Sequence, residues 1–233
     1  MKPKSVVSRE QWLEKRVELL EREKAFTRLR DELSEARREL PWVAVEKDYR
    51  FDTETGEQSL EQLFGDSEQL LIYHFMFGPE WEQGCPSCSF WADSYDGVAV
   101  HLLARNIRLM AISRAPLENL LAYRERMGWR FPWVSSLGSD FNVDFNVSFT
   151  PEQQAGAEAQ YNFRKARSVG EELPGVSVFA KGDDGRVYHT YSCYSRGLDA
   201  LNGAYQLIDL TPAGRDEAEF DFPMAWLRRR DQY

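Results

Sequence analysis

The chain has 233 residues, of which 42% are hydrophobic and 29% charged. That is a globular composition, and it excludes disordered, collagen-like and low-complexity classes. Net charge is 29 − 38 = −9, a field that repels nucleic acid and anionic membrane surfaces, so neither is expected as a partner. Three cysteines in so long a chain (Cys85, Cys88 and Cys193) exclude a disulfide scaffold. Residues 1–50 hold 13 basic and 11 acidic side chains, so the remainder carries 16 − 27 = −11.

The first ten residues are polar, with no apolar leader segment. The longest apolar stretch, Leu70 to Phe77, is interrupted by His74 and is too short to span a bilayer. A cytoplasmic location is therefore expected. From Ser8 to about Leu40 the chain is dense in Glu, Lys, Arg and Leu, which favours helix. Ser8 and Gln11 have capping-box spacing, and Pro41 ends the helix. Trp12, Leu19, Phe26, Leu33 and Leu40 recur every seven residues, while Lys15 and Arg22 interrupt the second seam position. The segment reads either as an arm that packs on a partner subunit, giving a homodimer, or as a helix lying across its own domain.

After Pro41 the pattern changes to alternating strands and helices. Trp42 to Phe51 reads as a strand, followed by a turn at Thr55, Gly56 and Glu57 and a short helix around Leu60 to Phe64. Gln69 to Phe77 is a near-continuous apolar run, expected as a central strand buried on both faces. A loop from Gly78 to Gly84 leads to a helix from Cys85 to about Asn106, then a buried strand from Ile107 to Ser113. Pro116 opens a helix ending near Gly128. This order argues for a parallel core with right-handed crossovers. Asp140 to Phe149 alternates strictly and reads as a half-buried strand; Pro151 to about Val169 reads as a helix. Val176 to Lys181 and Arg186 to Tyr191 flank Gly182-Asp183-Asp184-Gly185, a hairpin signal, and Arg196 to Ile208 reads as a closing helix. A basic cluster, Arg228 to Arg230, follows an acidic tail.

The strongest constellation is Gly84-Cys85-Pro86-Ser87-Cys88, which follows a buried strand and begins a helix. Unpaired backbone N–H groups there stabilise a thiolate and lower the first cysteine's pKa. Pro86 suits the first turn, and two intervening residues bring both sulfurs within bridging reach. Cys85 is the expected nucleophile and Cys88 the resolving thiol, acting on a protein or small-molecule disulfide or thiol without a cofactor. A metal module is the minority reading. Beyond the pair the candidate ligands are Cys193, His74, His101 and His189, and none forms a second close pair. Asp140, Asn142 and Asp144 have the spacing of a calcium loop, but Phe145 stands at the turn-glycine position, so no metal is expected there either. Trp81, on the loop before the cysteines, is a candidate substrate-binding residue together with Pro86.

The order of elements resembles a thioredoxin fold, an α/β fold with a central mixed sheet flanked by helices, here preceded by the helical arm. The arm is residues 1–40 and the thioredoxin-like domain 41–233, with an insertion around 138–173. In thioredoxin-like proteins a cis-proline before the third strand faces the cysteines and holds the extended substrate. Pro174, in Leu173-Pro174-Gly175, matches by order. Aligning the strands puts His74 where thioredoxin has a buried acid, which implies a base for Cys88. The chain departs from thioredoxin in having Gly84, not Trp, before the first cysteine. It departs from the peroxiredoxin pattern P-x-x-x-T/S-x-x-C because Pro79 is six residues before Cys85 and Gln83 holds the hydroxyl position.

The words YHFMFGPEWEQGCPSCSFWADSYDG, SRAPL, GWRFPWVSSLGSDFN, HTYSCYSRG and DLTPAGRDE are similar to a bacterial family catalogued as domain of unknown function 899. The resemblance covers nearly the whole chain. It implies a thioredoxin-like dithiol–disulfide oxidoreductase and names no substrate. A non-catalytic binding or scaffold protein on the same frame, with the long helix as its interaction surface, is the rival class.

Overall fold

The computed structural model describes residues 5–233. The chain divides into two compact units, one through Pro41 and one from Trp42 to Tyr233. The first is a single helix, α1 (Arg9–Arg38), opened by the capping box in which Ser8 and Gln11 bond reciprocally. Lys15–Glu18 and Lys24–Glu21 ion pairs span single turns along it.

The second unit begins with strands β1 (Val43–Ala44), β2 (Arg50–Thr53) and β3 (Gly56–Ser59). The single strand expected over Trp42 to Phe51 is two strands on different parts of the sheet. Glu46, Lys47 and Asp48 form the crossing between them, and Lys47 Nζ is tied to Asp140 and Asp144 at 2.7 and 2.8 Å. Gly56, at φ +102°, turns the β2–β3 hairpin, and a 3-10 turn at Gln62–Phe64 follows. Next come β4 (Gln69–His74), α2 (Pro86–Ala92), α3 (Ala99–Leu103), β5 (Ile107–Ser113), α4 (Leu117–Met127) and β6 (Trp133–Ser135). The one helix expected after Cys85 is thus two. Asp93, Ser94, Asp96 and Gly97 are weak helix formers and break it.

The stretch before the final hairpin differs most from expectation. Asp140 to Phe149 is not a strand: it holds the short helix α5 (Phe141–Asp144), then a reversal at Asn146 with φ +55°. Phe141 and Phe145 meet at a ring distance of 4.6 Å, as residues four apart do on a helix. Helix α6 (Pro151–Gln154) is one capped turn, not the long helix expected; Gly156 at φ +107° follows it. The chain then forms a hairpin of β7 (Ala159–Tyr161) and β8 (Arg164–Ala166), turned at Asn162 and Phe163, both left-handed. Strands β9 (Gly175–Lys181) and β10 (Val187–Tyr194) form the hairpin that the Gly-Asp-Asp-Gly turn predicts. A 3-10 segment, Ser195–Leu201, and α7 (Gly203–Ile208) replace the single closing helix. Asn202 separates them and caps α7 through Oδ1, which accepts the Tyr205 N–H at 2.9 Å.

Eight strands make one sheet in the order β1-β10-β9-β4-β5-β6-β2-β3. β4, β5 and β6 run parallel; β9 lies antiparallel to β4, and β10 to β9. The inner order β5-β4-β9-β10, with the first helix after β4, is the thioredoxin arrangement, so the fold is thioredoxin-like. Side chains alternate across β4. Leu70 and Ile72 face one core with Met110, Ile112, Phe141 and Phe179. Tyr73 and Phe75 face the other, with Trp91, Leu120, Tyr123, Trp129, Trp133 and Cys88. This second core carries the cysteines.

Candidate active site

The cysteine pair sits where the sequence places it, at the junction of β4 and α2. Cys85 is the N-cap of α2 and Pro86 its first helical residue. Pro86 has no N–H to leave unpaired, so it opens the helix without cost. The backbone of Met76, two residues beyond β4, grips both cysteines. Its carbonyl accepts the Cys85 N–H at 3.1 Å, and its N–H points at Cys88 Sγ at 3.4 Å. The Cys85 carbonyl takes the Ser89 N–H at 3.0 Å and the Ser89 hydroxyl at 2.9 Å.

Gly84 lies flat on aromatic rings. A Cβ there would fall 2.7 Å from Phe75 Cε1 and 2.9 Å from Tyr123 Cε1. Its carbonyl accepts from Arg229 Nη2 at 2.8 Å and Tyr123 Oη at 3.4 Å, and Arg229 Nε also donates to Tyr123 Oη at 2.8 Å. The C-terminal basic cluster is therefore anchored at the cysteine motif, a role its sequence did not announce.

The two thiols differ in electrostatics. Cys85 is half-buried; the Cys88 thiol donating to it, and the N–H groups of Cys88 and Ser87, lower its pKa to about 6 against the opposing effect of burial. Cys88 is buried, and desolvation first, then the neighbouring Cys85 sulfur, push its pKa up. Tyr73 donates its hydroxyl to the Cys88 carbonyl at 3.5 Å, and Ser89 Oγ lies 2.9 Å from Tyr123 Oη.

Other expectations need correction. His74 is not beside the cysteines. The alternation that turns Tyr73 toward Cys88 turns His74 to the opposite face, where it stacks on Phe141 and Phe145. Its Nε2 lies 2.8 Å from Ser177 Oγ; Ser177 meets Ser192 at 2.8 Å, and Ser192 meets His189 Nε2 at 2.7 Å. Burial lowers the His74 pKa to about 3, so it stays neutral at physiological pH. Trp81 donates its indole N–H to Glu171 Oε2 at 2.7 Å and packs over Gly78; like Cys85, it is not among the walls of the cleft described next. It braces the loop before the cysteines.

A cleft of about 610 Å³ opens beside Cys88, with Met76, Ser87, Cys88 and Pro174 among its walls; Cys85 is not one of them. Pro174 thus lies on the cysteine side of the sheet. Its peptide bond is trans, since no described residue has a cis bond, and its carbonyl accepts the Tyr161 hydroxyl at 2.7 Å. Cys193 is buried on β10 opposite Val176 and belongs to the same core. Among the described residues no three His, Cys, Asp or Glu side chains are placed to hold a metal ion, and no helix is long and apolar enough to cross a membrane.

The model of the family described as a bacterial protein of unknown function (DUF899) matches residues 1–233. The chain belongs to the DUF899 family. No curated protein matches this DUF899 chain. Among solved structures it is similar to the peroxidoxin BcpB of Mycobacterium tuberculosis, at 14% identity and a TM-score of 0.47, over 72% of this chain and 97% of that one. It is similar also to a cysteine-to-serine mutant of peroxiredoxin Q from Xanthomonas campestris, at 14% identity and a TM-score of 0.47, over 70% and 98%. A PrxQ mutant of Xylella fastidiosa matches at 12% identity and a TM-score of 0.45, over 71% and 95%.

Proposed function

We propose that this DUF899 protein is a thiol–disulfide oxidoreductase working through Cys85 and Cys88. The Cys85 thiolate attacks one sulfur of a substrate disulfide, a mixed disulfide forms, and one substrate thiolate leaves and is protonated by water. Cys88 then gives up its proton and attacks Cys85 Sγ. The second substrate thiol departs, the enzyme pair ends as a disulfide, and the substrate has gained two electrons. An external dithiol restores the enzyme.

The asymmetry of the two thiols supports this reading above all. Exchange needs an attacking sulfur that is ionised near neutral pH and a second thiol held in reserve, which is the order of the Cys85 and Cys88 pKa shifts. Pro174, which lines the cleft together with Ser87 and Cys88, would flank the bound substrate. A pair that is recycled as a dithiol belongs in a reducing compartment, consistent with a cytoplasmic protein. The test is reduction of a small disulfide with a dithiol as electron donor, comparing wild type with Cys85→Ser. Loss of turnover in the variant is expected. Equal rates would refute the reading.

A further inference from the structure

The cleft beside Cys88 has the size of a small-molecule site, about 610 Å³, within the roughly 300–1,000 Å³ typical of such sites. Its walls are largely apolar and include Trp91, Leu198, Tyr161 and Pro174, with Pro223 and Met224 of the C-terminal segment. That segment is fastened beyond the cleft by Arg229 on the Gly84 carbonyl and by Arg126 on Asp231 at 2.7 Å. A protein disulfide would have to enter a cleft that this segment helps to wall.

The charged groups at the rim already have protein partners. Arg215 holds Asp209 through Nε and Nη2 at 2.9 and 2.8 Å and Asp199 through Nη1 at 3.1 Å, with its guanidinium 3.8 Å over the Tyr205 ring. Arg196 Nη2 donates to Asp199 at 2.7 Å. Glu217 Oε1 accepts from Tyr205 Oη and Trp226 Nε1, each at 2.7 Å, and from the Met224 N–H at 3.1 Å. Two cations against three carboxylates leave the rim at −1, with no unpaired cation for an anionic ligand.

Met224 shows that the wall is built. It is held at φ +70°, a left-handed conformation that is unfavourable for a methionine. Its N–H bond to Glu217 fixes it there, and the conformation sets its side chain against the cleft.

We propose that this cleft is the substrate pocket and that it takes an uncharged disulfide of low molecular weight with aromatic or branched alkyl arms. The inference rests on the thiol–disulfide reading above. One arm lies among Trp91, Leu198 and Met224. The substrate S–S bond reaches from the cleft wall at Cys88 to Cys85, whose sulfur meets the Cys88 thiol. Cys85 forms the mixed disulfide and Cys88 closes the enzyme disulfide, so reduced enzyme and oxidised substrate exchange two electrons with no further reactant.

The experiment is single-turnover oxidation of pre-reduced full-length protein by bis(4-hydroxybenzyl) disulfide, by glutathione disulfide and by insulin, read as the mass loss on forming the Cys85–Cys88 bond. The benzylic disulfide should react fastest, by about tenfold or more, the discrimination an apolar pocket achieves between a group that fills it and one that does not. Met224→Trp, which fills the cleft, should lower the benzylic rate constant about tenfold. Met224→Gly should lower it too while keeping the backbone in place, because glycine accepts the left-handed conformation freely. This second variant keeps the test decisive if the first does not fold. A glutathione disulfide or insulin rate equal to the benzylic rate, or a benzylic rate unmoved by Met224→Gly, overturns the pocket assignment and leaves the exchange chemistry standing. No oxidation of wild type by any of the three overturns the exchange reading itself.

Discussion

The position before the first cysteine makes the sharpest prediction. Gly84→Ala adds one Cβ at 2.7 Å from Phe75 Cε1 and 2.9 Å from Tyr123 Cε1, where ordinary carbon contacts begin near 3.5 Å. Neither ring has room to retreat: both are buried, and Phe75 also packs on Trp133 at a centroid distance of 4.5 Å. The backbone must then move, and with it the Gly84 carbonyl that Arg229 and Tyr123 hold. Overpacking of this kind costs about 1–3 kcal/mol, which for a domain of this size lowers the melting temperature by roughly 2–12 °C. Urea unfolding measures the first quantity and a thermal scan the second. Because Cys85 is the next residue, its alkylation rate should change as well. A Gly84→Ala protein with wild-type stability and wild-type Cys85 reactivity would show that the aromatic floor does not position the motif.

Three further outcomes follow from the same geometry. His74→Leu should cost about 1–2 kcal/mol through the lost bond to Ser177, yet leave the pH profile of Cys85 alkylation unmoved, because His74 lies on the other face of the sheet; a shifted profile would restore it as a base. Glu172 is buried, accepts from Ser148 Oγ at 2.5 Å and Arg114 Nη1 at 3.2 Å, and is pushed up to about 7 by desolvation. Its folded pKa lies above the unfolded value of about 4.3, so the native state binds the extra proton, and stability is full below that value and falls as pH rises through about 7. Urea unfolding at pH 4.5 and pH 8 should show this decline, and Glu172→Gln should flatten it; an unchanged slope would refute the assignment. Arg229→Gln removes the guanidinium from the Gly84 carbonyl and the Tyr123 hydroxyl and should destabilise by about 1–2 kcal/mol, read by thermal denaturation.

The motif was legible because local chemistry makes it: an apolar strand, a loop, then a cysteine followed by the proline that opens a helix. The long helix and its cap were legible for the same reason. What surrounds the cysteines was not, since Tyr123 and Arg229 come from 39 and 145 residues beyond Gly84, and no local pattern announces such a meeting. The alternating run Asp140 to Phe149 misled because residues four apart share a face in a strand and in a helix alike. Phe141, Phe145 and Phe149 satisfy both. Val143 separates the two, and it is 42% exposed, where a strand would have buried it beside the phenylalanines. His74 was misplaced by one residue of register, which in a strand exchanges the faces. The cleft was invisible because its walls are drawn from α2, the β9 approach, the 3-10 segment and the tail.

The central claim is that Cys85 is an activated thiol beside a suppressed one, and alkylation of the reduced protein by iodoacetamide as a function of pH tests it most directly, with the site of modification read by peptide mass. Cys85 should be modified first, with a rate that rises with a midpoint near pH 6, while Cys88 stays unmodified in the folded protein. A Cys85 midpoint at the unperturbed value of about 8.5, or modification of Cys88 ahead of Cys85, would contradict it.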